Sequence, residues 1–172
     1  MHYLEKYYND TVRPDLITKF NYKNNERVPK IKSLTLNFGC RSSDFKKLSI
    51  SFLSLQFITK KRGEIIPSKK SNILLKIRSG DPVGCKVILK GKLMYRTLTE
   101  IMKIKSNPKN DSKLNVTKSN SVTFSFGSPL VFNVLEENYT FFSEVGRIHV
   151  SILTNCDDTN EVSFLLNSFK LI

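Results

Sequence analysis

KIRSGDPVGCKVILKG, which runs from Lys76 to Gly91, has the pattern of a β-hairpin: a polar strand, a turn and an apolar strand. In the second half the side chains alternate strictly between two faces of the predicted strand. The two sets are Cys85, Val87 and Leu89, and Lys86, Ile88 and Lys90. One face can therefore enter a core while two ammonium groups lie on the other, which predicts a sheet with an open cationic face.

Two further stretches, VPKIKSLTLNFG and GRIHVSILT, repeat this one-sided alternation. In the first, Ser33, Thr35 and Asn37 share the polar face. In the second, Ile148, Val150 and Ile152 point inward, and Arg147, His149 and Ser151 point outward. EIIPS, SVTFSF and LVFNVL are shorter extended candidates.

Apolar residues at helical spacing predict helices between these strands. The first covers residues 2–23, with a restart at Pro14. The second is capped by Ser42 and Ser43 and runs to Ile58. Its predicted buried stripe is Phe45, Leu48, Phe52 and Leu55.

A third helix is expected from Leu93 to Ile104, and Asp158 with Glu161 forms the pattern of a capping box before the last helix. The residues of that helix expected to dock on the sheet are Val162, Leu165, Leu166 and Phe169. Residues 105–120 have few apolar side chains and predict an exposed loop. Together these elements predict an α+β fold in a single domain over residues 1–172, with a mainly antiparallel mixed sheet, helices on one face and the other face left available for a partner.

The charge balance indicates the class of partner. The chain of 172 residues has 28 Lys and Arg against 15 Asp and Glu, a net charge of +13 and a pI near 9.7. Such an excess favours nucleic acid as the partner. A merely basic soluble surface and an anionic membrane surface are the alternatives, and insertion into a membrane is excluded because no apolar run approaches roughly 20 residues.

Signatures of catalysis are missing from the sequence. It has no GxxxxGK[ST] or GxGxxG motif, two histidines, and three dispersed cysteines without a CxxC pair. The adjacent acids Asp157 and Asp158, like Glu136 and Glu137, are interpreted as solvated or capping groups rather than metal ligands. We therefore expect no catalytic residues, metal or cofactor. A small RNA-processing enzyme that uses His149 or these acids is the competing hypothesis.

The candidate binding residues concentrate within some thirty positions around the cationic strand. They are Lys60, Lys61 and Arg62 at a helix end, Lys69, Lys70, Lys76 and Arg78 around the hairpin loop, and Lys86 and Lys90 on its second strand. Their charged groups would pair with phosphates, while Ser33, Thr35 and Asn37 would supply hydrogen bonds to sugars or bases. The strand face is therefore interpreted as an RNA-binding surface.

Several segments resemble, in order and spacing, the large-subunit ribosomal protein L-five family. They are LEKYYND, FNYKN, VPKIKSLTLNFG, KKSNILLKIRSGDPVGCKVILKG with MY just after, and RIHVSILTNCDDTNEVSFLLNSF. The resemblance covers about residues 3 to 169, and the combination of LNFG with KIRSGDPVGCKV is its most specific part.

The resemblance implies an α+β fold whose sheet and N-terminal region bind 5S ribosomal RNA in the central protuberance. By motif, Asn37, Lys86 and Lys90 would face ribosomal RNA. It also implies that the loop with Lys69, Lys70, Lys76 and Arg78 approaches P-site transfer RNA. The remaining implied partners are neighbouring large-subunit proteins and a small-subunit head protein across an intersubunit bridge.

The chain departs from the family pattern at three places. Ile88 occurs where Thr is usual and Lys61 where Gln is usual, and KSNPKNDSKLNV replaces an Arg-rich segment. The chain also has no Ala or Trp, a bias typical of AT-rich coding DNA, and the match starts almost at Met1. These features predict an organelle-encoded protein of the mitochondrial ribosome, with the bacterial cytoplasm as the alternative location. A free-standing RNA-binding module or RNA chaperone is the alternative function.

Overall fold

The computed structural model describes residues 2–40, 44–106, 114–118, 120–156 and 158–171, with the backbone alone described for 114–118. Six strands in these ranges form a sheet of the order β2-β3-β1-β6-β5-β4. Their bounds are β1 Ile31–Gly39, β2 Glu64–Pro67, β3 Pro82–Leu89, β4 Leu114–Lys118, β5 Ser121–Phe126 and β6 Ile148–Thr154. β1 lies between β3 and β6, so both of its edges are paired.

The helices confirm an α+β fold. Their bounds are α1 Tyr3–Tyr7, α2 Arg13–Phe20, α3 Phe45–Thr59, α4 Gly91–Lys105, α5 Asn133–Glu136, α6 Tyr139–Phe142 and α7 Thr159–Ser168. Short 3-10 turns occur at Asn25–Arg27 and Pro129–Val131, and a π-helical turn, Tyr8–Val12, joins α1 to α2. Pro14 lies in the first turn of α2, as predicted, where its missing N–H removes no helical bond.

The one-sided strands are confirmed. Cys85, Val87 and Leu89 of β3 are buried, and so are the three inward residues of β6, whereas Ile88 and His149 are exposed. The prediction is wrong at Ser33, which is 7% exposed. The alternation of β1 slips there, because Ser33 and Leu34 are both buried, so Ser33 does not continue the half-exposed face of Thr35 and Asn37.

The hairpin has a different first strand from the one predicted. β3 pairs antiparallel with β2, in a register that sets Glu64 opposite Lys86 and Ile65 opposite Cys85. The polar half, Lys76 to Gly80, belongs instead to the loop between these strands. Lys76 and Gly80 have positive φ angles of 53° and 94°, which a continuous strand does not accommodate.

Three local predictions need correction, and each miss has a local cause. Ser42 and Ser43 lie outside the described residues, and Asp44 caps α3 by accepting from the Lys46 N–H at 3.0 Å. Phe45, the first residue after that cap, is 69% exposed rather than buried. LVFNVL is not extended, because the Ser128 side chain caps a 3-10 turn that begins at Pro129 and α5 follows.

The predicted exposed loop over residues 105–120 contains a strand. β4 pairs antiparallel with β5, with Leu114 opposite Phe124 and Val116 opposite Val122. The predicted loop also includes residues 107–113 and 119, which lie outside the described residues. In α7 the buried stripe is confirmed, but Asp158 makes no side-chain capping bond, so the predicted capping box does not form.

The chain divides into two compact units of interleaved segments. The first comprises Met1–Leu34, Leu89–Phe124 and Ser151–Ile172, and within it α1 packs on α4 and α2 on α7. The second comprises Thr35–Ile88 and Ser125–Val150, and within it α3 packs on α5 and α6. The single-domain organisation over residues 1–172 stays a prediction.

In the first unit, Asn155 fixes the backbone of the segment before β1. Its side-chain oxygen accepts from the Lys30 N–H at 2.6 Å. Its side-chain nitrogen donates to the carbonyls of Glu26 and Val28 at 3.2 and 3.1 Å. One amide therefore satisfies three backbone groups and ties that segment to the end of β6.

Candidate nucleic-acid interface

Lys86 lies on the partly exposed face of β3, and its nearest charged neighbour is acidic. Its Nζ is 3.6 Å from Oε2 of Glu64, the residue directly opposite on β2. Both side chains are open to solvent, so this ion pair contributes little to stability. The ammonium group can therefore exchange the carboxylate for a phosphate at small cost.

Asn37 is the cross-strand neighbour of Lys86 on the other side. The Cys40 N–H donates to the Val83 carbonyl at 2.8 Å, which makes these two residues an opposed pair of β1 and β3. Counting along the two antiparallel strands then sets Asn37 opposite Lys86, as an inference from that bond. An amide and an ammonium group so placed can contact one nucleotide through its base and its phosphate.

The side-chain oxygen of Asn37 is buried and has no hydrogen-bond partner among the described residues. A buried acceptor without a donor costs about 1–3 kcal/mol. Because this oxygen is covered, a ribose hydroxyl or a base amino group would reach it only after the Asn37 side chain turns toward the surface. Such a bond would remove that cost, which makes Asn37 a candidate position for hydrogen bonding to a partner.

The cations after α3 lie beside the end of β3. Lys60 takes a left-handed conformation, with φ of 54°, and its N–H donates to the Gln56 carbonyl, which ends the helix. The Lys61 Nζ then donates to the carbonyl of Ile88 at 2.8 Å. Lys60, Lys61 and Arg62 are all exposed. This turn therefore carries three positive charges, one of them bonded to β3.

The remaining predicted cations of the second unit lie on the loop between β2 and β3. Lys69, Lys70, Lys76 and Arg78 are all exposed there. In the first unit, Lys90 follows β3 and is exposed, whereas Ser33 is buried and unavailable. The structure thus places Thr35, Asn37 and Lys86 on the neighbouring strands β1 and β3, with Lys61 in a turn bonded to β3, but it does not bring Ser33 to the surface.

Two features of the molecule's surface, one on this face and one in another segment, were missed from the sequence. Glu64 faces Lys86, and only the register of β2 against β3 reveals it. The segment from Asn133 to Glu144 is acidic and aromatic, with exposed Tyr139 and Phe141. Its signal was available, because the sequence has no Lys or Arg between Lys118 and Arg147.

Buried titratable groups lie elsewhere and are held neutral. Burial raises the pKa of the Cys85 thiol to about 12, with a smaller contribution from Cys40. Burial likewise raises the pKa of Tyr8 to about 12, and its hydroxyl donates to the Pro29 carbonyl at 2.8 Å. A protonated, buried thiol is a weak nucleophile, so Cys85 serves the core.

Neither a metal site nor a membrane span occurs in the part of the chain that the structure describes. Over those residues, His, Cys, Asp and Glu nowhere gather in a group that could hold a metal ion. Within the same ranges, every helix is too short or too polar to cross a bilayer.

A half-exposed sheet face that combines amides, hydroxyls and ammonium groups is typical of RNA-binding α+β proteins. Comparison with known proteins then fixes the family: the chain belongs to the uL5 family of large ribosomal subunit proteins. A search against protein-family models found no match.

Three relatives illustrate the similarity, and each match covers nearly all of both chains. Large ribosomal subunit protein uL5m of Reclinomonas americana is 32% identical over 99% of this chain and 97% of its own. Protein uL5 of Nitrosomonas europaea is 31% identical over 97% and 96%. Protein uL5c of Oedogonium cardiacum is 31% identical over 98% and 96%.

Membership confirms the general prediction of function. The chain is a structural constituent of the large ribosomal subunit, with ribosomal RNA and neighbouring ribosomal proteins as its partners. Ribosomal proteins of this family are not enzymes, which confirms the prediction that the chain has no catalytic role.

Proposed function

We propose that this protein binds 5S ribosomal RNA, or large-subunit ribosomal RNA at the same place, in the central protuberance. The observations that carry the proposal are the Lys61 to Ile88 bond beside β3 and the Cys40 to Val83 bond, from whose register we infer that Asn37 lies opposite Lys86. In this arrangement the ammonium groups of Lys86, Lys90 and Lys61 bind phosphates. Asn37 and Thr35 hydrogen-bond to sugars or bases.

The loop between β2 and β3 would reach P-site transfer RNA. Its four exposed cations provide positive charge that can bind a phosphate backbone. Asp81 is the one acidic residue in the segment from Ser68 to Asp81. The Asp81 side chain already accepts from the Arg78 N–H at 2.8 Å. The surface that the loop offers to a partner is therefore cationic.

The intersubunit bridge to a small-subunit head protein would use a different surface. The segment Asn133 to Glu144 has three exposed acids, Glu136, Glu137 and Glu144, in a chain of net charge +13. Those carboxylates repel phosphates, whereas exposed Tyr139 and Phe141 are residue types enriched at protein interfaces. This composition supports a basic protein, rather than RNA, as the partner of this segment.

The proposed location is the mitochondrial ribosome, with a gene encoded in the organelle. The bias against Ala and the 32% identity to the uL5m protein of Reclinomonas americana support it. Fractionating native ribosomes and identifying this chain by mass spectrometry tests the location. Recovery with cytoplasmic bacterial ribosomes would contradict it.

Replacing Lys86 and Lys90 together by Ala tests the RNA-binding face. We expect weaker binding to 5S or large-subunit RNA and a log–log salt slope that falls by roughly one unit for each lost phosphate contact. The matched control replaces Lys46 and Lys47, exposed on α3, which removes the same charge outside the face. Circular dichroism of both variants checks folding.

An unchanged affinity at low salt for a folded Lys86→Ala, Lys90→Ala variant would contradict the assignment of this face. Sedimentation of ribosomal subunits distinguishes the proposed function from the alternative one, a free-standing RNA chaperone. A free-standing RNA chaperone would bind many RNAs with similar affinity and would stay out of the large-subunit fraction.

A further inference from the structure

The outer side of α3 is apolar although it is open to solvent. Phe45 is 69% exposed, and Leu53 and Phe57 are each 46% exposed. With the exposed Ser49 they recur at every fourth residue and form one row, here called the α3 stripe. At about 1.5 Å per residue the stripe is about 18 Å long. A single exposed leucine is ordinary, but a row of large apolar side chains along one helix marks an interaction site.

The composition of α3 is that of a helix covered on both sides. The segment from Leu48 to Thr59 contains no Asp, Glu, Lys or Arg. A surface helix normally has charged residues on its outer side, and a helix that is apolar all round is normally buried. The inner side of α3 is also apolar, since Leu48, Leu55 and Ile58 are buried. The outer side is therefore built to be covered by a partner.

The stripe can be covered without leaving its serine unsatisfied. The Ser49 hydroxyl donates to the Phe45 carbonyl at 2.8 Å, and Ser51 and Ser54 make the same bond one turn back along the helix. A partner that covers Ser49 therefore removes no hydrogen bond that water alone supplied to this donor. Because serine is small, it also leaves a gap between Phe45 and Leu53. A side chain of a second helix can fill that gap, as in the packing of ridges into grooves.

The C-terminal end of the stripe lies beside an acidic segment. The rings of Phe57 and Phe142 are in edge contact, with centroids 5.7 Å apart, so this end of the stripe adjoins α6. α5 and α6 both pack on α3. The exposed acids on these two helices and just after them are Glu136, Glu137 and Glu144. Carboxylates at this border repel the phosphates of RNA and of anionic lipids.

The ends of α3 carry the opposite charge. Lys46 and Lys47 are exposed in its first turn, and the cations Lys60, Lys61 and Arg62 follow its last residue. The apolar stripe is thus bordered by positive charge at the helix ends and by negative charge along α5 and α6. A partner that complements this border must carry both signs, which a protein surface does and a phosphate backbone does not. An uncharged centre with a charged border is also the anatomy of a protein interface.

We propose that the α3 stripe binds an amphipathic helix of another protein of the large ribosomal subunit. The apolar residues of the partner pack along Phe45, Leu53 and Phe57, and one of its side chains fills the gap at Ser49. Its basic residues lie beside α5 and α6, and its acidic residues lie beside Lys46 and Lys47. This surface is separate from the proposed RNA-binding face, so the inference rests on membership of the large subunit and not on that face.

The experiment identifies what covers Leu53 in assembled large subunits. Photoleucine, a leucine analogue of similar size whose carbene reacts with protein, RNA and lipid alike, replaces Leu53 in the full-length protein. We expect an adduct with a segment of another large-subunit protein that has apolar residues at helical spacing and basic residues beside them. Photoleucine at Leu153 is the matched control, because Leu153 is 39% exposed and lies on β6. It should not form the same adduct.

Phe45→Ser in the photoleucine protein tests the stripe itself. Removing one of its large side chains should lower the yield of the Leu53 adduct at least about fivefold. Ile65→Ser removes an exposed apolar side chain from β2 and should leave the yield unchanged. Phe45 is exposed, so its replacement should also leave the urea midpoint and the affinity for ribosomal RNA unchanged.

The inference is overturned if Leu53 reacts only with RNA, with lipid or with a second copy of this chain. It is also overturned if Leu53 gives no more adduct than Leu153, or if the reacting protein segment has no apolar stripe. An unchanged yield in Phe45→Ser contradicts it as well. Failure of the wild-type protein to bind ribosomal RNA would instead overturn the proposed function, and the Leu53 adduct does not depend on that result.

Discussion

Glu64 acts on the candidate interface through a single contact, with Lys86. Its carboxylate lies 3.6 Å from the Lys86 ammonium group and would face any phosphate bound there. We expect Glu64→Gln to raise the affinity for ribosomal RNA by roughly 1.4-fold to fivefold, the range that an exposed ion pair of about 0.2–1 kcal/mol supports. Filter binding at two salt concentrations measures the change.

The same substitution in a Lys86→Ala background supplies the control, because the gain should disappear when the ammonium group is absent. Equal gains in both backgrounds would mean that Glu64 acts by general repulsion rather than through Lys86.

The buried thiol of Cys85 leads us to expect that the folded protein loses stability at alkaline pH. Its pKa rises from 9.0 to about 12 on folding because the thiol is buried. Stability from this group is therefore full below pH 9 and is lost as the pH rises toward 12, by at most about 1.4 kcal/mol for each pH unit. Urea unfolding between pH 9 and 10 measures this loss, since Tyr8, Tyr22 and Tyr95, whose pKa values burial raises, contribute mainly above pH 10. Burial lowers the pKa of Lys105, so that group acts in the opposite direction.

Cys85→Ala should flatten that dependence between pH 9 and 10 while lowering stability at pH 7. A slope identical to that of wild type would show that another group controls the alkaline transition.

At the scale of elements, the contact between β1 and β3 is closest at Gly84. A Cβ at Gly84 would lie 2.8 Å from the Phe38 carbonyl oxygen, a backbone atom that cannot move without disturbing the strand pair. We expect Gly84→Ala to lower the free energy of unfolding by about 1–3 kcal/mol. Chemical denaturation measures the change.

Gly39→Ala is the matched control on the partner strand. A Cβ there meets no atom within 4 Å, so its effect should stay within about 0.5 kcal/mol. If both substitutions cost the same, the close approach at Gly84 is not the cause.

The elements that the sequence predicted well are those whose signal is local. Cys85, Val87 and Leu89 alternate with polar residues over a full strand, and the same applies to β6, so periodicity alone identified them. β4 was missed because a strand in a polar segment is defined by its partner, β5, and pairing is not a local property. The segment LVFNVL was predicted to be extended because of its β-branched residues. Ser128 and Pro129, which form the pattern of a helical cap, indicated the helical turn that the structure has.

The candidate site also combines features that local sequence patterns predict with features that depend on tertiary structure. Clustering of cations and strand alternation predicted Lys61 and Lys86 as RNA-binding residues, and the structure bonds the Lys61 side chain to β3, the strand that carries Lys86. Their role in RNA binding stays a prediction. Ser33 was misassigned because one slip in alternation inverts the faces of a strand. The unpaired Asn37 oxygen and the Glu64 contact depend on tertiary geometry, which periodicity does not contain.

At the scale of the whole molecule, charge is distributed unevenly along the chain. The cations concentrate from Lys60 to Lys90, while residues 119–146 have three acids and no Lys or Arg. Under the proposed function, this division corresponds to one surface for RNA and another for a protein. The two functions should therefore respond to different substitutions.

Phe141→Ser is predicted to weaken association with the small subunit and to leave ribosomal RNA binding unchanged. Phe141 is 71% exposed, so its loss removes apolar contact area without disturbing the core. Sucrose-gradient profiles of ribosomes that carry the variant measure subunit joining. Lower RNA affinity in the same variant would contradict the division of surfaces.

The amide of Asn155 also constrains when the protein can fold during its own synthesis. The backbone of Glu26, Val28 and Lys30 receives its hydrogen bonds from a residue made about 125 peptide bonds later. Until that late residue leaves the exit tunnel, the early segment can be satisfied only by water. Docking of this segment against the end of β6 is therefore a late step of folding, and chains that lack Asn155 should leave these three backbone groups to water.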